Sequence, residues 1–315
     1  MFNTDINQFL QKADWKPIYY LMEAVSSLGT VVMMTLMVYI LVTGIEFKRG
    51  LWIANIFFYT LVFTISLKES IDFPRPFAVD NTLEVFGAEG GQNLQSALPK
   101  GFFEVFSQDL LSKYRAVDFG KWGLPSGHTS MITALFFGGA FFFRKKWLWL
   151  TTISIIVLTI TSRLYLAKHF LGDTLGGLVL AVLISLIIGY SYRKFGAGRH
   201  AIKFLAFLPI VFLLFPVTFS TFQTGSFIGF NIAAFLVIKV WGYPQFSSGM
   251  AIRAAGVVIF FLLGYLFIYV SQRVPLSEDS YIATLIFAFV LFSSFTISTF
   301  LCKKFKIWKF DAVIG

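Results

Sequence analysis

Nine apolar runs separated by short polar breaks organise this chain, near residues 22–45, 51–67, 127–143, 147–163, 172–192, 204–220, 225–241, 251–271 and 281–301. A helix needs about 20 apolar residues to cross a bilayer, and a spanning backbone must satisfy its own hydrogen bonds. The pattern therefore predicts an all-α fold, a polytopic transmembrane helix bundle of about nine spans. Several runs are short, which leaves room for a re-entrant segment. An odd count puts the two termini on opposite sides. Outside the runs, Phe102, Phe103, Phe106, Leu110, Leu111 and Tyr114 recur at helical spacing inside the long connection 77–124. They predict an amphipathic helix resting on the membrane, either a lid or a packed surface loop. Phe2, Ile6, Phe9, Leu10 and Trp15 form a weaker interfacial pattern.

Composition agrees with the pattern. The chain has 315 residues, 57% hydrophobic and 13% charged, with mean hydropathy +0.76. A soluble domain carries about a quarter charged residues. The first sixteen residues lack a basic start followed by a short apolar core, so no removable signal peptide is expected. Cys302 is the single cysteine, which excludes an internal disulfide and suits a small apolar residue at a helix end. The net charge of +10 divides unevenly between the two sides. The side holding loop 46–50 collects 15 Lys+Arg against Glu46 and Asp311, leaving 11 basic (26 − 15) and 14 acidic (16 − 2) residues opposite. The positive-inside rule makes the first side cytoplasmic. The basic balance is thus a topology signal, with anionic headgroups as its partner and no nucleic acid.

The remaining polar residues concentrate at span edges. Lys68 ends the second run and is followed by Arg75; Pro125, Ser126, Gly127 and His128 open the third; Arg163 ends the fourth; His169 and Asp173 open the fifth. All fall on the outer face in this orientation. His169 and Asp173 are four apart at a helix start and share a face. A carboxylate there can hold the imidazole in one tautomer and leave its other nitrogen able to attack. An interfacial histidine beside a helix-start aspartate is the plainer alternative. Ser126 suits an N-cap, and Gly127 lets backbone approach an anion. Lys68, Arg75 and Arg163 suit a clamp for a phosphoryl group, where single cations would otherwise snorkel. No acidic cluster accompanies them to hold a metal ion. Lys168 is left without a role, and His200 is expected to be solvated in a cytoplasmic loop.

Read together, these segments spell K-x6-RP, PSGH and SR-x5-H-x3-D between Lys68 and Asp173. In every fixed position and in order, they match the signature of the type 2 phosphatidic acid phosphatase (PAP2) superfamily, which includes glucose-6-phosphatases and vanadium haloperoxidases. The chain resembles that superfamily over roughly a third of its length. The resemblance implies a metal-independent phosphatase without cofactors. His169 would form a phosphohistidine, Asp173 would orient it, and His128 would act first as general acid and then as base. Lys68, Arg75, Ser126, Gly127 and Arg163 would hold the phosphate. The implied partners are the bilayer and a lipid phosphate such as phosphatidate, a sphingoid-base phosphate, an isoprenyl diphosphate or a lipid A phosphate. The implied organisation is an outer-face segment (1–21), a PAP2-type core (22–203) and further C-terminal spans (204–315). Nine spans with an outside N-terminus are similar to glucose-6-phosphatase, and the extra C-terminal spans to sphingosine-1-phosphate phosphatases. Compact loops suggest a bacterial inner membrane with the site facing periplasm or exterior. Phosphotransfer to an acceptor, halide oxidation and transport of an anionic lipid are the competing readings. Gly225 and Gly229 form a GxxxG that suits helix packing.

Overall fold

The computed structural model describes residues 1–84, 99, 101, 103–116, 122–196, 199–214, 221–246, 249–271, 273 and 281–311. Gly90, Gly91, Phe102, Asp118, the far end of the expected span 204–220 and the side chain of His200 lie outside the described residues. The chain is largely helical. Five of the described helices are long and apolar enough to cross a membrane, and a bent helix pair makes a sixth if counted as one span. By chain contacts the molecule divides into two units, one of Met1–Met34, Phe63–Ala140 and Arg144–Leu183, the other of Thr35–Val62, Phe141–Phe143 and Ile184–Gly315.

The first unit contains α1 (Asp5–Gln11), α2 (Lys16–Ser27), the last turns of α4 (Phe47–Ile71), α5 (Pro76–Val79), α6 (Gln108–Ala116), most of α7 (Gly127–Phe143), α8 (Lys146–Tyr165) and the first half of α9 (Leu171–Phe195). The expected run 22–45 is not one straight helix. It breaks after Ser27, where Gly29 and Thr30 donate backbone bonds to Ser26 and Ser27, before α3 (Val31–Tyr39) begins. Around α8, Met22, Tyr165 and Leu166 form a core with Leu10, Ile18 and Tyr19. A second core joins Phe73, Val79, Phe106, Leu110, Leu111 and Phe170, with Phe2 packed into it. Phe2 lies 4.6 Å from the Phe73 ring and 6.1 Å from that of Phe170.

This second core corrects the expected amphipathic helix. Among the described residues α6 begins only at Gln108, and Phe106 precedes it outside any helix. Phe106, Leu110, Leu111 and Tyr114 are buried against protein, whereas Phe103 is exposed. Two contacts fix the C-terminal end of α6: Arg115 donates to Ile71 O at 3.1 Å, and Tyr114 packs against Phe77, Ala78 and Trp122. A packed arm fits these contacts better than a lid. The pattern at 2–15 resolves similarly, since Phe2 is packed while Phe9 and Trp15 are exposed.

The second unit is built on α11 (Thr221–Trp241) and α13 (Tyr281–Lys304), with α12 (Met250–Ser271) against α13. The GxxxG is the α11–α13 contact. A Cβ on Gly229 would run into the carbonyl of Ala288, and one on Gly225 into that of Thr284. A π-helical segment, Ile40–Ile45, packs on α12. The expected span 204–220 begins inside α10 (Arg199–Phe207) and continues as a 3-10 helix, Leu208–Leu214, so no straight α-helix fills it. Two three-residue strands, Pro244–Phe246 and Trp308–Phe310, pair antiparallel with Gln245 opposite Lys309. Hydropathy does not foresee them. Cys302 is buried near the end of α13, as a small apolar residue would be.

Candidate functional site

The motif residues lie at helix ends in the first unit, apart from His169, which lies between two helices. Lys68 lies in the last turn of α4 and Arg163 in the last turn of α8. Arg75 caps α5 in extended conformation. Ser126 caps α7, and its hydroxyl accepts from Thr129 N. Capping is what serine does at this position, because the first helical N–H groups have no partner inside the helix. Gly127 and His128 follow in the first turn. Asp173 sits in the first turn of α9, where Oδ2 accepts from Phe170 N at 3.0 Å. That bond reaches back to the helix start as the acidic half of a capping box does.

The three motif parts converge. Ser126 N donates to Asp173 O at 2.8 Å, joining the second part to the third. Lys68 Nζ donates to Trp122 O at 2.8 Å and Gly123 O at 3.0 Å, and Arg75 Nε reaches Trp122 O at 3.3 Å. Gly123 N in turn donates to Phe73 O at 2.7 Å. A Cβ on Gly123 would lie 2.6 Å from Pro74 O and 2.9 Å from Asp173 Oδ2, so only glycine fits. One on Gly127 would lie 3.9 Å from Lys68 Cε. Arg163 Nη1 donates to Ser26 Oγ at 2.6 Å.

His169 stands in the connection between α8 and α9, 2% exposed, with Nδ1 3.2 Å from Asp173 Oδ2. Burial pushes its basicity well below that of an ordinary imidazole, and the charges of Lys68, Arg163 and Arg75, with His128, push it further. A charge can act this way only when near. The other seven sequence-named residues therefore gather around the buried His169 imidazole, through bonds, contacts or charge. Burial also raises the Tyr114 phenol, to about 12, beside Arg75. Chemically, a neutral imidazole fixed at Nδ1 presents Nε2 as a nucleophile, surrounded by cationic donors suited to a phosphoryl group.

Several neighbours were invisible to motif reading. Ser26 lies in the last turn of α2, and Gly29 in the break that follows it. A Cβ on Gly29 would strike the His128 ring, at 2.7 Å from Cγ. Gly177 on α9 is held to glycine by Ser126 O, 2.6 Å from where a Cβ would stand. The backbone oxygens of Trp122 and Gly123 carry no residue signature at all. Lys168, given no role by its sequence position, is buried, and its N–H donates to Arg163 O at 3.1 Å.

Comparison with known proteins concerns the region that carries these residues. Residues 49–197 match the PAP2 superfamily. The matched PAP2 region contains all three motif parts and leaves out α1, α2, α3, the π-helical segment and everything after α9 apart from the start of the next connection. A lipid A 4'-phosphatase of Porphyromonas gingivalis is 35% identical over 75 residues, which is 24% of this chain. The chain spans 30% of the length of that curated relative. No solved structure matches the chain.

Proposed function

We propose that this protein is a metal-independent membrane phosphatase that hydrolyses a lipid phosphomonoester or diphosphate through a phosphohistidine. The observation that carries the reading is the buried His169–Asp173 pair, 3.2 Å apart, with Lys68, Arg75, Arg163 and His128 acting on it. Nδ1–H of His169 donates to the Asp173 carboxylate, which leaves the Nε2 lone pair outward. Nε2 attacks phosphorus, the bond to the leaving oxygen breaks, and His128 gives that oxygen its proton. His128 then takes a proton from water, whose oxygen attacks phosphorus as the P–N bond breaks and inorganic phosphate departs. Lys68, Arg75 and Arg163 offset the charge that builds on the equatorial oxygens, with Ser126 and Gly127 at the helix start completing the cradle.

In this reading the helices make nine spans: the broken pair α2–α3, α4, α7, α8, α9, α10 with its 3-10 extension, α11, α12 and α13. The N-terminus and the site face outward, the periplasm of a bacterial inner membrane. Residues 1–21 form the outer segment, 22–203 the catalytic core and 204–315 added spans. The relative's name puts lipid A phosphates at the head of the candidate substrates. The test is inorganic phosphate release with EDTA by purified protein and by His169→Gln, across lipid A phosphates, phosphatidate, sphingoid-base phosphates, isoprenyl diphosphates and glucose 6-phosphate. Release by wild type alone is the expected result. Equal release by both samples, or none on any substrate, would sink it. Phosphate recovered on an added acceptor alcohol would instead identify a phosphotransferase.

A further inference from the structure

The connection carrying His169 is short and conformationally committed. It runs from Tyr165 at the end of α8 to Leu171 at the start of α9, and Ala167 holds φ at 53°. That left-handed conformation is costly for any residue with a Cβ. Such a segment keeps its shape only if its backbone groups are fastened from outside.

The fastening comes from α1. Asn7 is fully buried, and its Nδ2 donates to Leu164 O at 2.8 Å and to His169 O at 3.1 Å. Carbonyls only accept, so the amide nitrogen must be the atom facing them. One side chain thus ties the last turn of α8, which carries Arg163, to the backbone of the candidate nucleophile. Gln11 Nε2 adds a bond to Tyr165 O at 3.0 Å, and Gly172 N donates to Met1 O at 3.1 Å. On the other face of α1, Gln8 points elsewhere, to Asp80 and Thr82.

We propose that Asn7 is a positioning residue for the reaction, setting the spacing between His169 and the phosphate-holding Arg163. The inference rests on the phosphatase reading for its kinetic part but not for its structural part. An aspartate at this position has the same shape and no donor, and would set a carboxylate against two carbonyls. A misplacement near 1 Å can cost about 100-fold in rate, whereas a purely structural bond would cost stability alone.

The experiment compares wild type, Asn7→Asp, the milder Asn7→Ser and the control Gln8→Ala. It measures kcat and KM per folded molecule and hydrogen exchange of the peptide covering 164–172. For both Asn7 variants the expected result is a kcat lower by about 10- to 100-fold with KM changed less than about threefold, and faster exchange confined to 164–172. Gln8→Ala should keep wild-type kcat. Unchanged exchange and unchanged kcat in folded Asn7→Ser would overturn the proposal, as would a loss of folded protein with kcat per folded molecule intact. If wild type releases no phosphate, the phosphatase reading fails, and the exchange measurement still decides whether Asn7 fastens the connection.

Discussion

His169 is neutral at physiological pH because burial and then nearby cations oppose its protonation. Between its depressed folded value and about 6.5, the unfolded chain carries a proton there that the folded chain does not. Acidification through that window therefore favours unfolding, and above it the histidine contributes no pH dependence. In 15N-histidine spectra, assigned with His169→Gln, the His169 ring should stay neutral as pH falls from 7.5 to 6. A midpoint at or above 6.5 would contradict the charge arrangement. Gly29 permits a second test at this scale. Gly29→Ala should displace the His128 ring, and loss of general acid–base catalysis is worth about 100-fold or more. The loss should be largest for alkyl phosphates and smaller for p-nitrophenyl phosphate, whose leaving group needs no proton. Equal losses on both would detach Gly29 from His128. The motif residues were legible because their chemistry is written in side chains at fixed spacing. Ser26 was not, since it meets Arg163 across 137 residues, and neither was Asn7.

Helix ends and helix contacts divide differently between what sequence reveals and what it hides. Ser126 as N-cap and the turn at Asp173 follow from local rules, and the GxxxG found its partner in α13. The break after Ser27 did not follow, because apolar residues continue on both sides of it and hydropathy has no term for a turn. The expected helix begins only at Gln108, and Phe106 ahead of it packs with Phe2, Phe73 and Phe170. Two glycines give a matched pair for testing packing. Gly229→Ala should lower stability by about 1–3 kcal/mol, the usual cost of overpacking. Gly139→Ala, where an added Cβ meets nothing within 4 Å, should be neutral or stabilising by about 0.5–1 kcal/mol from helix propensity. Thermal unfolding of the two variants in one detergent checks this, and a destabilised Gly139→Ala would show that something other than contact at the Cβ governs.

For the whole molecule the charge asymmetry makes a prediction about sidedness. Phe103 and Lys145 are both exposed, and the one native cysteine is buried. Phe103→Cys should react with a membrane-impermeant maleimide on intact cells, and Lys145→Cys only after permeabilisation. The reverse pattern would invert the proposed topology. The helical, membrane-crossing character was readable from hydropathy, since the bilayer imposes one length on every span, and five described helices meet it. How spans bend or shorten was not, because neighbouring protein decides it. Arg163 rests on Ser26, the ring of His128 fills the space Gly29 leaves, and Asn7 holds the His169 backbone. All three supports precede residue 49, where the family match begins. The region that carries the candidate site is therefore not a portable cassette. A chimaera that transplants residues 49–197 into a foreign helical scaffold would inherit every motif letter and arrive without the parts that hold them in place.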